Sequence, residues 1–376
     1  MLKSFQFEKD QVCQLVRYEI GWSFEQILDV ERLNRPHSPV GVARIRIKQS
    51  AGSSQPDSVV LKHKPNGMAR DTYSDRRSIA LEARLHEALS KAGAPVPEVF
   101  WHGAWPHEGA GYMMVMEDVG PIKPDESHER GWTHGQMTAV VKAMAKLHVL
   151  GKSLDFSKLR GHAHSDANRS VLEALNSCWI HDLLHFAVDF DATCLSPSDL
   201  QTITEVAEAY DNWVRILAPW KTAIHGDVFP GNVALKCRGG DSWDAVLIDL
   251  GCCHEGIPQY DMEWLSQRGW NTQVSWYNLQ YQHYRALAEH GFCDKADSEL
   301  WWWGYKVALL QLMLVGHYML VRLLKRKTPV SRRERTILAS SPKPCGPEFV
   351  RVCREALHAC PFRSGSNASG DFANSG

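Results

Sequence analysis

Asp227, Asn232 and Asp249 are the residues of this 376-residue chain whose types and spacing best suit chemistry. Asp227 and Asn232 bound the segment Asp227-Val228-Phe229-Pro230-Gly231-Asn232, five positions apart (232 − 227). Asp249 follows an apolar run, Ala245 to Ile248, that reads as a buried strand. A carboxylate, then an amide at this spacing, then a second carboxylate at a strand end is a set suited to phosphoryl transfer from a nucleotide. One carboxylate accepts the proton of an attacking hydroxyl. The second holds magnesium on the phosphates, and the amide oxygen completes the metal site. Any one of these residues alone would read as a turn or a helix cap, because Asp, Asn and Gly are common there. Their combination and order carry the information.

The flanking residues sharpen it. His225-Gly226-Asp227, Pro230-Gly231-Asn232 and Ile248-Asp249 together resemble the aminoglycoside phosphotransferase and choline kinase superfamily of small-molecule kinases, whose loop reads H-G-D-x-x-x-x-N. The resemblance spans residues 25 to 265. It implies an α+β, bilobal protein-kinase-like fold, with a small antiparallel-sheet N-lobe carrying one helix and a larger, mostly helical C-lobe. Residues 1–119 would form the nucleotide-binding lobe. Residues 120–362 would carry the catalytic loop, the metal site and the acceptor-binding helices. By the same resemblance Asp227 is the catalytic carboxylate, Asn232 and Asp249 hold Mg2+, and His225 positions the loop. The donor is ATP or GTP, and the acceptor is a hydroxyl of a small molecule.

Stepping outward, other elements must place these groups. Val40 to Lys48 alternates, with Ala43, Ile45 and Ile47 on one face and Arg44, Arg46 and Lys48 on the other. A polar turn, residues 52–57, separates it from Ser58-Val59-Val60-Leu61-Lys62, which predicts a hairpin. Helical periodicity predicts a helix over 75–91, stopped by Gly93. The resemblance makes Lys62 a phosphate-binding lysine paired with Glu82 on that helix, with Lys64 as competitor. It also makes Met116, Glu117 and Asp118 the stretch whose backbone meets the purine edge, whereas Met113 and Met114 read as core. Thr133-x-x-Gln136 is a capping-box pattern, predicting a helix over 133–151 closed by Gly151, with His148 inside it. Residues 165–184 and 198–217 read as two further helices. Asp261, in a segment that resembles the family's Gly-x-Pro-x-x-Asp, is expected to cap a helix or anchor its loop. One feature departs from the family: the loop over the phosphates, residues 34–41, has one Gly and two Pro. That departure favours the alternative function, a pseudokinase-like nucleotide-binding protein or scaffold.

Composition excludes other classes. Hydrophobic residues are 44% and charged residues 23%, and the net charge is −1, so no global field draws nucleic acid or an anionic membrane. The 10 Cys are scattered without C-x-x-C pairs, and no apolar signal core opens the chain, which predicts reduced thiols in a cytoplasmic protein. Cys252-Cys253-His254 lacks the spacing of a structural zinc site and reads as small buried side chains. The apolar run Val307 to Leu324 contains Gln311, His317, Tyr318 and Arg322, and so reads as a buried helix rather than a membrane span. The aromatic cluster with Trp264, Trp270, Trp276, Tyr277, Trp301, Trp302 and Trp303 is open to two readings, core or a surface for a cationic or flat ligand. The tail, 363–376, reads as disordered.

Overall fold

The computed structural model describes residues 9–33, 40–64, 79–104, 112–120, 132–160, 195–267, 275–294, 298–324 and 347–362. Expectations for residues 34–39, for a helix over 165–184, for Trp270 and for the tail from residue 363 lie outside the described residues. The chain divides into two compact units. The first is Met1–Ser170 with Thr222–Glu255 and Leu265–Leu287; the second is Val171–Lys221 with Gly256–Trp264 and Ala288–Gly376.

In the first unit, α1 (Lys9–Gln14) leads to an antiparallel sheet of β1 (Phe24–Arg32), β2 (Gly41–Gln49), β3 (Ser58–Lys64), β4 (Val99–Ala104) and β5 (Tyr112–Glu117). The strand order is β1-β2-β3-β5-β4. Period-two patterning sorts its two faces. Ile45, Ile47, Val59, Leu61, Met113 and Val115 are buried with Val12, Leu15 and Val16 from α1 and the turn that follows it. On the opposite face Met114 and Met116 are buried with Ile79 and Ala83 of α2 (Ile79–Lys91), Val60 packing beside them. Register fixes that second face. Val42 opposes Lys62, Arg44 opposes Val60, Val60 opposes Met116 and Lys62 opposes Met114. Opposed residues of an antiparallel pair share a face, so a lysine and an arginine lie along one line of apolar side chains.

Helix α3 (His134–Gly151) starts where its capping box predicts. The Thr133 side chain accepts from the Gln136 amide, and the Gln136 side chain accepts from the Thr133 amide. Asp241 reinforces this end, accepting from Thr133 Oγ1 at 2.8 Å and the Gly135 amide at 3.0 Å. The other end corrects an expectation. Gly151 is the last helical residue rather than a left-handed cap, and Lys152 caps with right-handed backbone. Its small size matters because a Cβ there would lie 2.5 Å from Ala223 Cβ. Glycine thus lets α3 approach β6 (Thr222–Ile224), which leads into the loop bearing Asp227. A short helix, α4 (Phe156–Arg160), follows α3. After the loop come the hairpin of β7 (Val233–Gly239) and β8 (Ser242–Leu247), then β9 (His254–Gly256), which pairs with β6.

In the second unit, α5 (Pro197–Leu217) begins at a capping box built by Ser196 and Asp199. The remaining helices among the described residues are α6 (Gln259–Gln267), α7 (Trp276–Glu289), α8 (Ser298–Leu324) and α9 (Pro347–His358). Two members of the aromatic cluster are core. Trp301 and Trp303 are fully buried, Trp303 Nε1 donates to the Ala356 carbonyl at 2.9 Å, and Trp213 and Trp303 meet edge to face. Tyr277, by contrast, is 63% exposed. Asp261 lies in the first turn of α6 and is fully buried. Gln311 of α8 donates to the Tyr210 hydroxyl at 2.7 Å. Among the described residues no helix is long and apolar enough to cross a membrane.

Candidate active site

Lys62 is the buried centre of an ion cluster. Its Nζ lies 2.6 and 2.8 Å from the two carboxylate oxygens of Glu82 and 2.9 Å from Asp249 Oδ1. Glu82 sits on the buried face of α2, and Lys62 is 8% exposed. Burial alone would lower the lysine pKa, but the carboxylates of Asp249 and Glu82 outweigh it and hold the ammonium well above its ordinary value. Lys62 is therefore the residue paired with Glu82, and the sequence did not indicate its second partner, Asp249. The side chain of Lys64 lies outside the described residues.

Backbone hydrogen bonds set the second half of the site. His225 Nε2 donates to the Ile248 carbonyl at 2.9 Å, and its Nδ1 accepts from the Asp227 amide at 3.3 Å. That pair of bonds requires one neutral tautomer, with the proton on Nε2. Asn232 Nδ2 donates to the Asp227 carbonyl at 2.9 Å and to its carboxylate oxygen Oδ2 at 3.3 Å. The Ile248 amide donates to the Asn232 carbonyl at 2.9 Å, so Asp249 leaves the strand beside Asn232. Gly226 explains why no side chain stands between His225 and Asp227. Its φ is +77°, and a Cβ would lie 2.5 Å from the Cys252 carbonyl and 3.1 Å from the His254 ring. Asp249 is the one described non-glycine residue with positive φ, at 60°. Beneath the loop, buried His148 and His283 meet at 3.0 Å, and Thr222 donates to the His148 carbonyl at 2.5 Å.

Cys252 and Cys253 are buried free thiols, and His254 Nδ1 donates to the Cys252 carbonyl at 2.8 Å. Among the described residues no group of three or more His, Cys, Asp or Glu side chains gathers as a metal site. The Asn232 amide and Asp249 carboxylate are hard oxygen donors. Two such protein ligands completed by phosphate oxygens suit magnesium, which seldom takes an all-protein cage.

The purine-edge stretch, Met116 to Asp118, spans the end of β5. Met116 is buried against α2. The Glu117 amide donates to the Glu98 carbonyl at 2.8 Å, because pairing between β4 and β5 begins one residue before the first strand position of β4. Asp118 turns its carboxylate to Arg44 and Ser58, an arrangement the alternation of β2 did not reveal, since it records only the face that Arg44 takes.

A sheet whose lysine pairs with a helix glutamate and with a carboxylate beyond a hydrogen-bonded H-G-D loop defines a kinase-like phosphotransferase fold. The phosphotransferase enzyme family model matches residues 47–293, and the chain belongs to that family. Solved structures agree on the fold. A protein of Ralstonia eutropha JMP134, provisionally described as an aminoglycoside phosphotransferase, superposes with TM-score 0.58 at 13% identity, covering 93% of this chain and 99% of that one. The GDP complex of wild-type aminoglycoside 2'-phosphotransferase-IIIa gives TM-score 0.53 at 13% identity, covering 93% and 98%. Plasmodium vivax ethanolamine kinase gives 0.53 at 10%, covering 94% and 98%. No curated protein matches the sequence.

Proposed function

We propose that the chain is a small-molecule kinase, transferring the γ-phosphate of ATP or GTP to an alcohol of a small acceptor. The observation that carries it is the Lys62–Glu82–Asp249 cluster, with Asp249 following a strand end bonded to the loop of Asp227 and Asn232. Residues 1–119 serve the nucleotide, with Met116, Glu117 and Asp118 lining its base end. Residues 120–362 carry the loop, the metal ligands and the acceptor helices. Asp227 accepts or orients the proton of the attacking hydroxyl. Asn232 turns its amide nitrogen inward to Asp227, leaving its carbonyl oxygen for a cation. Lys62 neutralises phosphate charge, and His225 fixes the loop in one tautomeric state. Magnesium, held by Asn232 and Asp249, would screen the phosphate oxygens. The protein's own contribution is then positioning and fixed charge. The aminoglycoside phosphotransferase relative solved with GDP supports a nucleotide donor, and its kanamycin-bound counterpart supports a small-molecule acceptor. Free thiols at every described cysteine support a cytoplasmic setting. The scaffold alternative rested on loop 34–41, of which residues 34–39 lie outside the described residues, and the assembled ion cluster favours catalysis.

The test is thermal stability with magnesium and millimolar ATP or GTP, for wild type and Asp249→Asn. A ligand that binds only the folded state raises stability by mass action. A rise in wild type that is lost in the variant is expected. No rise with either nucleotide would overturn the reading in favour of a scaffold.

A further inference from the structure

Arg44 lies on the same sheet face as Lys62, opposite Val60. It does not project into solvent. Its Nε donates to Asp118 Oδ2 at 2.7 Å and its Nη2 to Asp118 Oδ1 at 3.3 Å, a two-pronged pair, while Nη1 reaches Glu31 at 3.1 Å. Asp118 takes two further bonds, from Ser58 Oγ at 2.6 Å and from the Gly120 amide at 3.1 Å. Both side chains are largely buried, 14% and 10% exposed. The two charges answer each other. Burial alone would raise the Asp118 pKa, but the Arg44, Ser58 and Gly120 hydrogen bonds hold it below the usual carboxylate range. Arg44, Ser58, Asp118 and Gly120 border an open groove of about 770 Å³ at this end of the face.

Asp118 directly follows β5, where the chain leaves the sheet. Three strands therefore converge on one carboxylate: β2 through Arg44, β3 through Ser58, and β5 through the chain itself. We propose that Arg44 is a positioning residue for the nucleotide base, clamping the exit of β5 so that residues 117–120 are held at a fixed distance from Val60 and Met116. This rests on the nucleotide site proposed above and deepens it. Lys62 holds the phosphate end through charge, and Arg44 sets the base end through geometry. A bidentate guanidinium suits that task because both its prongs fix direction as well as distance.

The two ends can be separated by ligands that lack a base. Binding of magnesium-ATP, magnesium-GTP and magnesium-tripolyphosphate is measured by calorimetry for wild type, Arg44→Met and Arg44→Lys. Arg44→Met is expected to weaken both nucleotides about tenfold, the size of one lost charge-assisted contact, while leaving tripolyphosphate within about twofold. Arg44→Lys is expected to recover part of the loss, since lysine keeps the charge without the fork. Unchanged nucleotide binding in Arg44→Met would overturn the assignment. So would an equal loss of nucleotide and tripolyphosphate, which would mark a general structural defect. If the wild type takes up tripolyphosphate and neither nucleotide, or none of the three, the nucleotide site itself fails and the role of Arg44 falls with it.

Discussion

The two halves of the candidate site are held by different physics. At the lysine end, Lys62 meets partners 20 and 187 positions away, and side-chain charge alone joins them. At the loop end, His225, Asp227 and Asn232 lie within eight consecutive residues, and backbone groups form most of their bonds. A charge cluster is costly to break, because removing one member strands another in a low-dielectric site. A backbone-tied loop keeps its shape when one side-chain atom changes. The lysine end should therefore couple stability to binding, whereas the loop end should keep the two apart.

Asp227→Asn tests this most strongly. Turnover should fall by roughly 10²-fold or more, the scale of a lost general base, with the melting temperature nearly unchanged. A fully active variant would remove Asp227 from its role, and a large drop in melting temperature would erase the contrast. Lys62→Met should lose stability together with nucleotide binding, costing about 3 kcal/mol in urea unfolding, because Glu82 is left buried without its cation. A variant as stable as wild type would show that the cluster is not held by charge. Gly226→Ala should cost about 1–3 kcal/mol for strain at its left-handed φ and contact with the Cys252 carbonyl. The same substitution at the exposed turn glycine Gly52, which has positive φ but open surroundings, should cost less.

The smallest effect concerns acid. Burial lowers the pKa of His63 to about 4 and of His86 to about 3, in the latter case aided by the Lys62 charge. An unfolded chain takes up these protons near pH 6.5. Stability is thus fully present above pH 6.5 and is lost as pH falls toward 4 and then 3, by about 1.4 kcal/mol per pH unit for each histidine. Urea midpoints at pH 7 and pH 5 should differ accordingly, and His63→Gln should shallow the slope. A flat profile would show that these rings are protonated in the folded state.

The same contrast governs what the sequence made legible. The loop could be read because its spacing is local: His225, Asp227 and Asn232 stand in one stretch, and Thr133 and Gln136 announce their own helix start. Lys62 with Glu82 could be placed only through the resemblance, which supplied the neighbouring helix. The pairing of Lys62 with Asp249, and of Arg44 with Asp118 across 74 positions, leaves no mark on periodicity, because a strand pattern records which face a residue takes and not what it meets there. Glycine misled in one place. Gly151 looked like a terminator and is instead the thin spot where α3 touches β6.

Asp249 holds backbone angles near φ 60°, ψ 63°, a region that glycine adopts freely and aspartate at a cost on the order of 1 kcal/mol. Its carboxylate is also what draws Lys62. The position is thus torn between two currents of selection. Chains propagated for resistance to heat alone should drift toward glycine there, whereas chains propagated for phosphoryl transfer should keep the aspartate, so the residue that emerges would report which pressure the population had met.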